Sequence, residues 1–404
     1  MSAAALQGVY LVDAIRTPIG RYAGALASIR TDDLAALPLR ALLTRQPQLD
    51  PSAIDEVIVG CANQAGEDNR NIARMASLLA GLPISVPAFT VNRLCASGLD
   101  AIIQGARSIA CGDADIVIAG GVESMSRSPF VMAKPNAAFA REQKLEDTTL
   151  GWRFVNPKMA AQYGVDSMTE TAENLARERG ISRADQDAYA LRSQQRTAAA
   201  QRSNAFTDEI LPVETTGKIV SVDEHPRADT SLEKLASLNP LLAGGSVTAG
   251  NASGLNDGAG ALLLMSERAL KTHQATPRAR ILASASAGVA PRTMGDGPVP
   301  AINKLLERLQ LALSAFEHIE INEAFAAQVL ACTRALKLAD DSTQINPDGG
   351  AIALGHPLGL SGLRLVQHAM LSLHQRPQTG RQRRAICALC VGVGQGVAIA
   401  IERT

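Results

Sequence analysis

Residues 89–119 read FTVNRLCASGLDAIIQGARSIACGDADIVIA and alternate between two kinds of pattern. The run at 89–91 predicts a short strand, residues 98–110 have the apolar spacing of a helix, and residues 114–119 form a near-continuous apolar strand. Strand, helix and strand in close succession favour a parallel or mixed sheet that is covered on both faces. This stretch therefore predicts an α/β fold.

The same alternation continues on both sides of this stretch. The further predicted elements are strands at 9–13, 57–59, 279–288, 319–321 and 384–390, and helices at 32–45, 71–79, 300–309, 324–336 and from the glycine-rich turn at 349–362 to about residue 373. The strand at 384–390 is the last predicted element. Between the two alternating parts, residues 125–255 are more polar and include two predicted charged helices, at 166–180 and 183–203.

A weak internal echo indicates a duplication. Residues 97–99 and 361–363 both read SGL, and each opens a predicted helix that leads to an apolar strand and a glycine turn. We therefore predict one half from residues 1–124 with 256–276, a second half from residues 277–404, and an inserted region at 125–255. Two such halves facing each other would bring both helix starts to one site.

Composition excludes several classes of protein. The 404 residues are 46% hydrophobic, enough for a large core, and 39 basic residues balance 39 acidic ones, so no positive field favours nucleic acid or an anionic membrane. No apolar stretch reaches about 18 residues, and residues 1–7 lack the features of a signal peptide. The six cysteines are scattered rather than arranged as a disulfide framework. A cytoplasmic enzyme is expected.

Two residues stand out as candidates for chemistry. Cys95 lies between a predicted strand and a predicted helix, where the helix dipole should lower the pKa of a thiol and free N–H groups could bind an oxyanion. His356 lies on the glycine-rich turn, well placed as a general base. The alternatives are a buried filler cysteine and a loop histidine bonded to a carbonyl.

Three further places have competing interpretations. Cys387 and Cys390 are three apart on an apolar strand, so they should point to opposite faces, which argues against a redox pair or a zinc site. Asn322 follows a strand and precedes a helix, which suits an N-cap or a residue that holds a water. The small, flat stretch at 248–254 could let a long ligand approach the backbone or be a plain loop.

Together these segments resemble the thiolase family across essentially the whole chain. The motifs VNRLCASG, TAGNASGLNDGAGA, NEAFAAQ, GGAIALGHPLGLSG and CVGVGQG, at 91–98, 248–261, 322–328, 349–362 and 390–396, follow the family's order and spacing. The resemblance implies the thiolase fold, in which two sheet-centred halves stack into a five-layered αβαβα body with an inserted, coenzyme A-binding loop domain. It also implies a homo-oligomer, either a dimer or a tetramer.

The resemblance assigns roles to the catalytic candidates. Cys95 would be the acyl-carrying nucleophile, His356 its base, and Cys390 the acid and base for the acetyl-CoA enolate. One oxyanion hole would use His356 with a water held by Asn322, and the other the backbone N–H groups of Cys95 and Gly392. No metal and no permanently bound cofactor is expected, because coenzyme A is a co-substrate.

The resemblance also places ligand-binding residues. Ser253 would lie near the pantetheine and Arg227 near the adenine–phosphate end of coenzyme A, with Ala249 and Met168 along the channel. Met294 and Phe325 would wall the acyl pocket, although simple core packing competes for both.

Stretches at 64–83, 120–132 and 147–159 resemble the β-ketoadipyl-CoA (3-oxoadipyl-CoA) branch of the family. Val393 stands where general thiolases usually have glycine, and Ser167 where acetoacetyl-CoA thiolases commonly have histidine. The implied reaction is thiolysis of 3-oxoadipyl-CoA to succinyl-CoA and acetyl-CoA. Arg153 is our candidate for binding the substrate's tail carboxylate, because such a group needs a cation or hydrogen-bond donors when it is buried.

Three alternatives compete with this assignment. A general acetyl-CoA acetyltransferase or 3-ketoacyl-CoA thiolase would share the catalytic residues. A 3-oxoacyl-ACP condensing enzyme is disfavoured, because its usual Cys-His-His set differs from the Cys390 present here. A non-catalytic thiolase-like protein that binds CoA or lipid is disfavoured by the presence of Cys95, His356 and Cys390 together.

Overall fold

The computed structural model describes residues 6–375 and 382–404, so most of the start on which the signal-peptide prediction rests lies outside the described residues. The strands are β1 (Val9–Arg16), β2 (Gly20–Arg21), β3 (Glu56–Gly60), β4 (Ala88–Val91), β5 (Ile116–Ser124), β6 (Phe130–Met132), β7 (Leu145–Asp147), β8 (Val213–Thr215), β9 (Lys218–Val220), β10 (Asn256–Ser266), β11 (Ala279–Gly288), β12 (His318–Ile321), β13 (Arg384–Val391) and β14 (Gln395–Arg403). The α-helices are α1 (Thr31–Arg45), α2 (Ile72–Ala80), α3 (Ser97–Cys111), α4 (Pro157–Tyr163), α5 (Met168–Glu178), α6 (Arg183–Arg202), α7 (Leu232–Ala236), α8 (Glu267–Thr272), α9 (Pro298–Leu309), α10 (Ala326–Ala335), α11 (Ala351–Leu354) and α12 (Leu358–Gln375).

The large sheet repeats one strand order on either side of a central junction. Its order is β12-β13-β14-β11-β1-β10-β5-β3-β4, and the junction is the antiparallel pair β1–β11. Outward from the junction, β1-β10-β5-β3 and β11-β14-β13-β12 each make two antiparallel pairings and then a parallel one. We call these strands the first and second repeats. Helix α3 leads into β5 and α12 leads into β13, so the two helices occupy matching places.

Three hydrophobic clusters show how the layers stack. One packs α1 and α2 on the outer face of the first repeat, a second packs α3 and α12 between the inner faces of both repeats, and a third packs α9 and α10 on the outer face of the second repeat. Strand β5 shows why both faces are apolar: Ile116 and Ile118 enter the outer cluster, while Val117 and Ala119 enter the central one. Helix, sheet, helix, sheet and helix therefore follow one another, as predicted.

Two long strands were missing from the sequence-based prediction. Residues 256–266 form β10, and residues 395–403 form β14, so the strand at 384–390 is not the last element and that prediction is wrong. The first half of β10 is rich in glycine and alanine, which have weak strand propensity, and its pairing with β1 and β5 on either side stabilises it. In β14, Val397, Ile399 and Ile401 alternate with smaller residues, so this strand had a local signal that the prediction missed.

The predicted helices are present with shifted ends. The two charged helices become α5 and α6, each opened by a serine N-cap with a full capping box. Pro38 lies inside α1, where it is buried. Among the described helices, none is both long and apolar enough to cross a bilayer.

Candidate active site

A cavity of about 500 Å³ lies where the starts of α3 and α12 meet the region inserted between β5 and β10. Its volume lies in the usual range for a small-molecule site. It brings together most of the residues that the sequence singled out. The predicted site residues that line it are Cys95, Arg153, Met168, Ser253, Met294, Phe325, His356 and Gly392.

Cys95 sits on a tight turn that presents it to the cavity. Strand β4 is followed by a single 3₁₀ turn, Leu94–Ala96, and α3 begins immediately afterwards. Leu94 has a φ of 47°, in the left-handed region that costs a non-glycine residue about 1–2 kcal/mol. The Ser97 hydroxyl holds the turn, because it accepts from the Arg93 N–H at 2.9 Å and donates to the Leu94 carbonyl at 2.7 Å. Cys95 remains half-buried at the cavity wall.

The pKa of Cys95 moves in the opposite direction to the prediction. Burial raises the pKa of this thiol to about 11, although the backbone N–H groups of Gly392 and of Cys95 itself favour the thiolate. Loss of hydration thus outweighs the two N–H groups and the start of α3. Since the thiol is protonated at neutral pH, attack by Cys95 requires a base that removes its proton during the reaction.

His356 is held by residues from several elements. It follows Gly355, whose φ of 107° belongs to glycine and whose missing Cβ leaves room for the Asn256 side chain. The Asn256 Oδ1 atom accepts the His356 backbone N–H at 2.9 Å. The imidazole Nδ1 lies 2.6 Å from the Ser361 hydroxyl, and that hydroxyl donates to the Pro357 carbonyl at 3.0 Å. Ser361 therefore accepts from Nδ1–H, which assigns the free lone pair to Nε2.

The base is neutral before it reacts. Burial, and next the nearby Arg364 guanidinium, lower the pKa of His356 to about 4. A neutral imidazole with a free Nε2 can accept a proton. Cys95 and His356 therefore face the same cavity as an uncharged thiol and an uncharged base, because burial opposes the charged form of each.

Cys390 and Cys387 lie on opposite faces of β13, as predicted. Cys387 packs in the central cluster, with Sγ 3.4 Å from the Leu365 carbonyl, and Cys390 packs with Met294 and Phe325 behind the cavity. Both are free thiols. Burial, and then the neighbouring Cys95, hold the pKa of Cys390 well above its usual range. Cys390 is thus a protonated thiol close to Cys95.

Asn322 belongs to the His356 environment and is not a helix cap. Helix α10 begins at Ala326 with Phe325 at the N-cap position, so the N-cap interpretation of Asn322 is wrong. The Asn322 amide nitrogen lies 3.4 Å from both ring nitrogens of His356. Its Oδ1 atom is buried without a hydrogen-bond partner among the described residues. A buried amide oxygen of this kind is suited to hold a water.

The expected coenzyme A residues separate into two groups. Ser253 lines the cavity, because the 248–254 stretch pairs with the segment after β12, with its N–H donating to the Ala324 carbonyl at 3.0 Å. Met168 lines the cavity at the first turn of α5, where Ser167 is the N-cap. Arg227 and Ala249 are exposed and do not line the cavity. The distal part of a long ligand would therefore have to extend out of the cavity to meet them.

Met294 and Phe325 are packed in the core and also lie at the cavity, so core packing and a place in the acyl-pocket wall are compatible for both. They are 3% and 8% exposed, pack in one cluster with Cys390, and line the cavity. Arg153 also lines the cavity, on the segment 148–154 with Trp152. The Trp152 ring N–H donates to the Asp166 carbonyl at 3.2 Å, which ties this segment to the start of α5.

Three lining or supporting residues escaped the sequence analysis. Glu123 and Asn63 line the cavity, and Ser361 orients His356. The available signal for Glu123 was an acidic residue near the end of a fully apolar strand. For Ser361 it was a hydroxyl one helical turn after the histidine. For Asn63 local sequence has no signal, because its position depends on loops that meet only in the folded chain.

Comparison with known proteins agrees with this geometry. The sequence model of the thiolase N-terminal domain matches residues 9–268, and that of the thiolase C-terminal domain matches residues 275–403. The chain is 62% identical to a β-ketoadipyl-CoA thiolase of Pseudomonas aeruginosa over 400 residues, covering 98% of this chain and 99% of that one. It is 58% identical over 404 residues to the 3-oxoadipyl-CoA/3-oxo-5,6-dehydrosuberyl-CoA thiolase of Escherichia coli, covering 98% of this chain and all of that one.

The fold agrees as well. The structure of human mitochondrial 3-ketoacyl-CoA thiolase in complex with CoA superposes with a TM-score of 0.91 at 41% identity, covering 98% of each chain. The predicted thiolase fold is therefore confirmed. On family models that span nearly the whole sequence, and on relatives of this identity and coverage, the chain belongs to the thiolase family of acyltransferases.

Proposed function

We propose that this thiolase cleaves 3-oxoadipyl-CoA with coenzyme A into succinyl-CoA and acetyl-CoA, in the breakdown of aromatic compounds. The observation that carries the proposal is the pair of near-full-length relatives named for this substrate, at 58% and 62% identity. A general acetyl-CoA acetyltransferase or 3-ketoacyl-CoA thiolase would share the catalytic residues, so the acyl pocket separates these activities.

In the first half of the reaction, His356 Nε2 takes the proton of the Cys95 thiol as the sulfur attacks the substrate ketone carbon. The neutral, buried pair supports this order of events. The charge that develops on the former ketone oxygen is met by N–H donors; the N–H groups of Cys95 and Gly392 and the His356–Asn322 site are the two candidate oxyanion holes. The carbon–carbon bond then breaks, which leaves acyl-Cys95 and the enolate of acetyl-CoA.

In the second half, the Cys390 thiol gives its proton to the enolate carbon, and acetyl-CoA leaves. The thiol of coenzyme A then returns a proton to Cys390 and attacks the acyl-Cys95 thioester. Cys95 leaves as a thiolate and recovers its proton from His356, so the resting state is restored. The high pKa of buried Cys390 supports its role as an acid towards a basic carbanion. These steps use no metal and no permanently bound cofactor.

Coenzyme A would thread from the surface to Cys95. We propose that Ser253 and Met168 contact its pantetheine, and that exposed Ala249 and Arg227 meet the outer part of the molecule. The cavity position of the first two residues and the exposure of the last two support this direction.

Arg153 would bind the tail carboxylate of the 3-oxoadipyl group. It lines the cavity, and no ion pair or hydrogen bond occupies its guanidinium within residues 6–375 and 382–404. An arginine can bind a carboxylate with two parallel hydrogen bonds, and a charge-assisted bond of this kind contributes about 1.5–3 kcal/mol. Acetoacetyl-CoA has a methyl group in place of this tail.

Thiolysis kinetics of Arg153→Ala test the assignment. We expect kcat/KM for 3-oxoadipyl-CoA to fall about 10- to 100-fold, with acetoacetyl-CoA kinetics within about 3-fold of the unmodified enzyme. The matched control is Arg202→Ala, because Arg202 is an exposed arginine at the end of α6, away from the cavity. An equal loss for both substrates would remove Arg153 from the specificity assignment.

The chain is also proposed to work as a cytoplasmic homo-oligomer, without nucleic acid or membrane partners. The β6–β7 hairpin supports oligomerisation, because Phe130, Met132, Phe139 and Leu145 expose large apolar side chains on it. A single-chain mass by light scattering would contradict this.

The division of the chain into residues 1–124 with 256–276, 125–255 and 277–404 is likewise a proposal. It is supported by the end of β5 at Ser124 and the start of β10 at Asn256.

A further inference from the structure

Glu123 is a buried carboxylate at the cavity that none of the proposed reaction steps uses. It is the second-last residue of β5 and is 1% exposed, yet it contributes to the cavity lining. A buried carboxylate is expensive unless hydrogen bonds satisfy it. Its partners therefore indicate what it is for.

Among the described residues, its hydrogen-bond partners are all backbone N–H groups, and they come from two distant parts of the chain. The Oε2 atom accepts from Gly359 at 2.9 Å and from Ala62 at 3.0 Å, and Oε1 accepts from Asn63 at 3.0 Å. Burial raises the pKa of Glu123 to about 7, and the three N–H groups oppose that shift because they favour the ionised form. One side chain thus holds two separate loops.

The first of these loops carries His356. Gly359 is the second residue of α12, so its N–H is one of the first-turn groups that lack a partner within the helix. A negative charge is also favourable at this end of a helix. A Cβ on Gly359 would clash with the Val122 carbonyl, so the start of α12 is pressed directly against the end of β5. Glu123 thus binds the start of α12 at Gly359, which is three residues after His356.

The second loop supports the wall that contains Arg153. Ala62 and Asn63 follow β3, and the Asn63 amide donates to the Ser128 hydroxyl at 2.7 Å and the Thr148 carbonyl at 3.0 Å. Thr148 begins the lining segment that continues to Phe154. The carboxylate is therefore connected through Asn63 to the wall that faces the acyl group.

We propose that Glu123 is a positioning residue for thiolysis, which holds His356 and the acyl wall in register with Cys95. This rests on the proposed roles of Cys95 and His356. Glu123 acts through the backbone of Gly359 and Asn63 and takes no proton from the substrate. Its nearest titratable neighbours, Cys61 and Asp68, contribute no hydrogen bond to it among the described residues, so the three N–H groups define its function.

The test compares three variants by steady-state thiolysis. Glu123→Gln keeps the size but sets an NH₂ group against at least one N–H donor, so we expect kcat to fall about 100-fold, the effect of a misplacement near 1 Å. The KM values for 3-oxoadipyl-CoA and for coenzyme A should stay within about 3-fold of those of the unmodified enzyme. Glu123→Asp keeps an acceptor-only carboxylate, and it should recover about 10-fold of the lost kcat.

The matched control is Asp55→Asn, because Asp55 precedes β3 and binds the start of β5, at the opposite end of that strand from Glu123. The Asp55 Oδ2 atom accepts the backbone N–H groups of Asp115 at 2.7 Å and Ile116 at 2.9 Å, so it makes the same kind of contact away from the cavity. We expect its kcat within about 2-fold of the unmodified enzyme. This control separates catalytic positioning from a general loss of strand anchoring.

Three outcomes would overturn the positioning role. They are an unchanged kcat in folded Glu123→Gln, a loss confined to KM, and an Asp variant no better than the Gln variant. If the Gln variant does not fold, folded Glu123→Asp with unchanged kcat also overturns it.

Cys95→Ala and His356→Ala are measured alongside these variants. Activity that survives either change would refute the proposed catalytic roles. Loss of activity in both, with no effect of the Glu123 changes, would refute only the positioning role.

Discussion

The starts of α3 and α12 occupy matching places in the two repeats, but they are stabilised in different ways. The turn before α3 is held by its own neighbours, since Ser97 bonds to Arg93 and Leu94. The loop before α12 is held from outside, by Asn256 on β10 and by Glu123 on β5. Two repeats of the scaffold thus bring two helix starts to one cavity, while unlike sequences place the proposed nucleophile at one and the proposed base at the other.

The ends of the matching strands β5 and β13 differ in the same way. β5 ends beside a carboxylate that accepts N–H groups, and β13 ends beside the Cys390 thiol. The repeats therefore share their geometry but differ in their proposed roles, with a positioning carboxyl group in one and a proton-donating thiol in the other. Each prediction below tests one side of this division.

The largest effect is expected from comparing Cys95→Ala with Cys390→Ala. Removal of the nucleophile should lower thiolysis by about 10⁴-fold or more and abolish the exchange of labelled coenzyme A into acyl-CoA. Cys390→Ala should lose thiolysis comparably but retain a slower, measurable exchange, because acyl transfer to and from Cys95 forms no enolate and needs Cys390 only to accept the coenzyme A proton. Mass spectrometry of the Cys390→Ala protein after incubation with acyl-CoA checks that acyl-Cys95 still forms. Loss of exchange in both variants would contradict the division.

A smaller effect is expected for alkylation of Cys95 by iodoacetamide: its rate should rise about tenfold per pH unit between pH 7 and 9. The pKa of about 11 leaves the thiolate a minor species that grows tenfold with each unit, and neutral His356 provides no resting ion pair. Peptide-resolved mass spectrometry separates this site from exposed Cys111. A flat, fast reaction from pH 6 upwards would instead show a stable thiolate–imidazolium pair.

The smallest effect concerns Val393, the counterpart of Leu94 as a strained residue at the cavity. Its φ of 65° lies in the left-handed region, which is an outlier for a β-branched side chain. Val393→Gly should increase the free energy of unfolding by up to about 1 kcal/mol, since relief of about 1–2 kcal/mol exceeds the added entropy of the unfolded chain. The midpoint of urea unfolding measures this change in the free energy of unfolding. Val393→Ala is the control, because it removes the branch but keeps a Cβ. A lower midpoint for the glycine variant would show that Val393 packing outweighs its strain.

Sequence determined much of the layered fold. The apolar run 114–119 and the helix at 98–110 are recognisable because local periodicity matches the elements they form, β5 and α3. Ordered motifs also pointed to Cys95, His356 and Cys390. The start of β10 was not recognisable, because its glycines and alanines form a strand only when a partner pairs on each side, whereas the alternating Val397, Ile399 and Ile401 of β14 were a signal that the prediction missed.

Only the tertiary structure decided the chemical state of the site. From the sequence, Cys95 at a helix start suggested a lowered pKa, but burial raises the pKa of this thiol to about 11 even though the backbone N–H of Gly392 favours the thiolate. The tautomer of His356 depends on Ser361, and the place of α12 on Glu123, a residue more than 200 positions away. Periodicity is a local property that a sequence displays directly, whereas desolvation and hydrogen-bond partners depend on which distant segments the fold brings together.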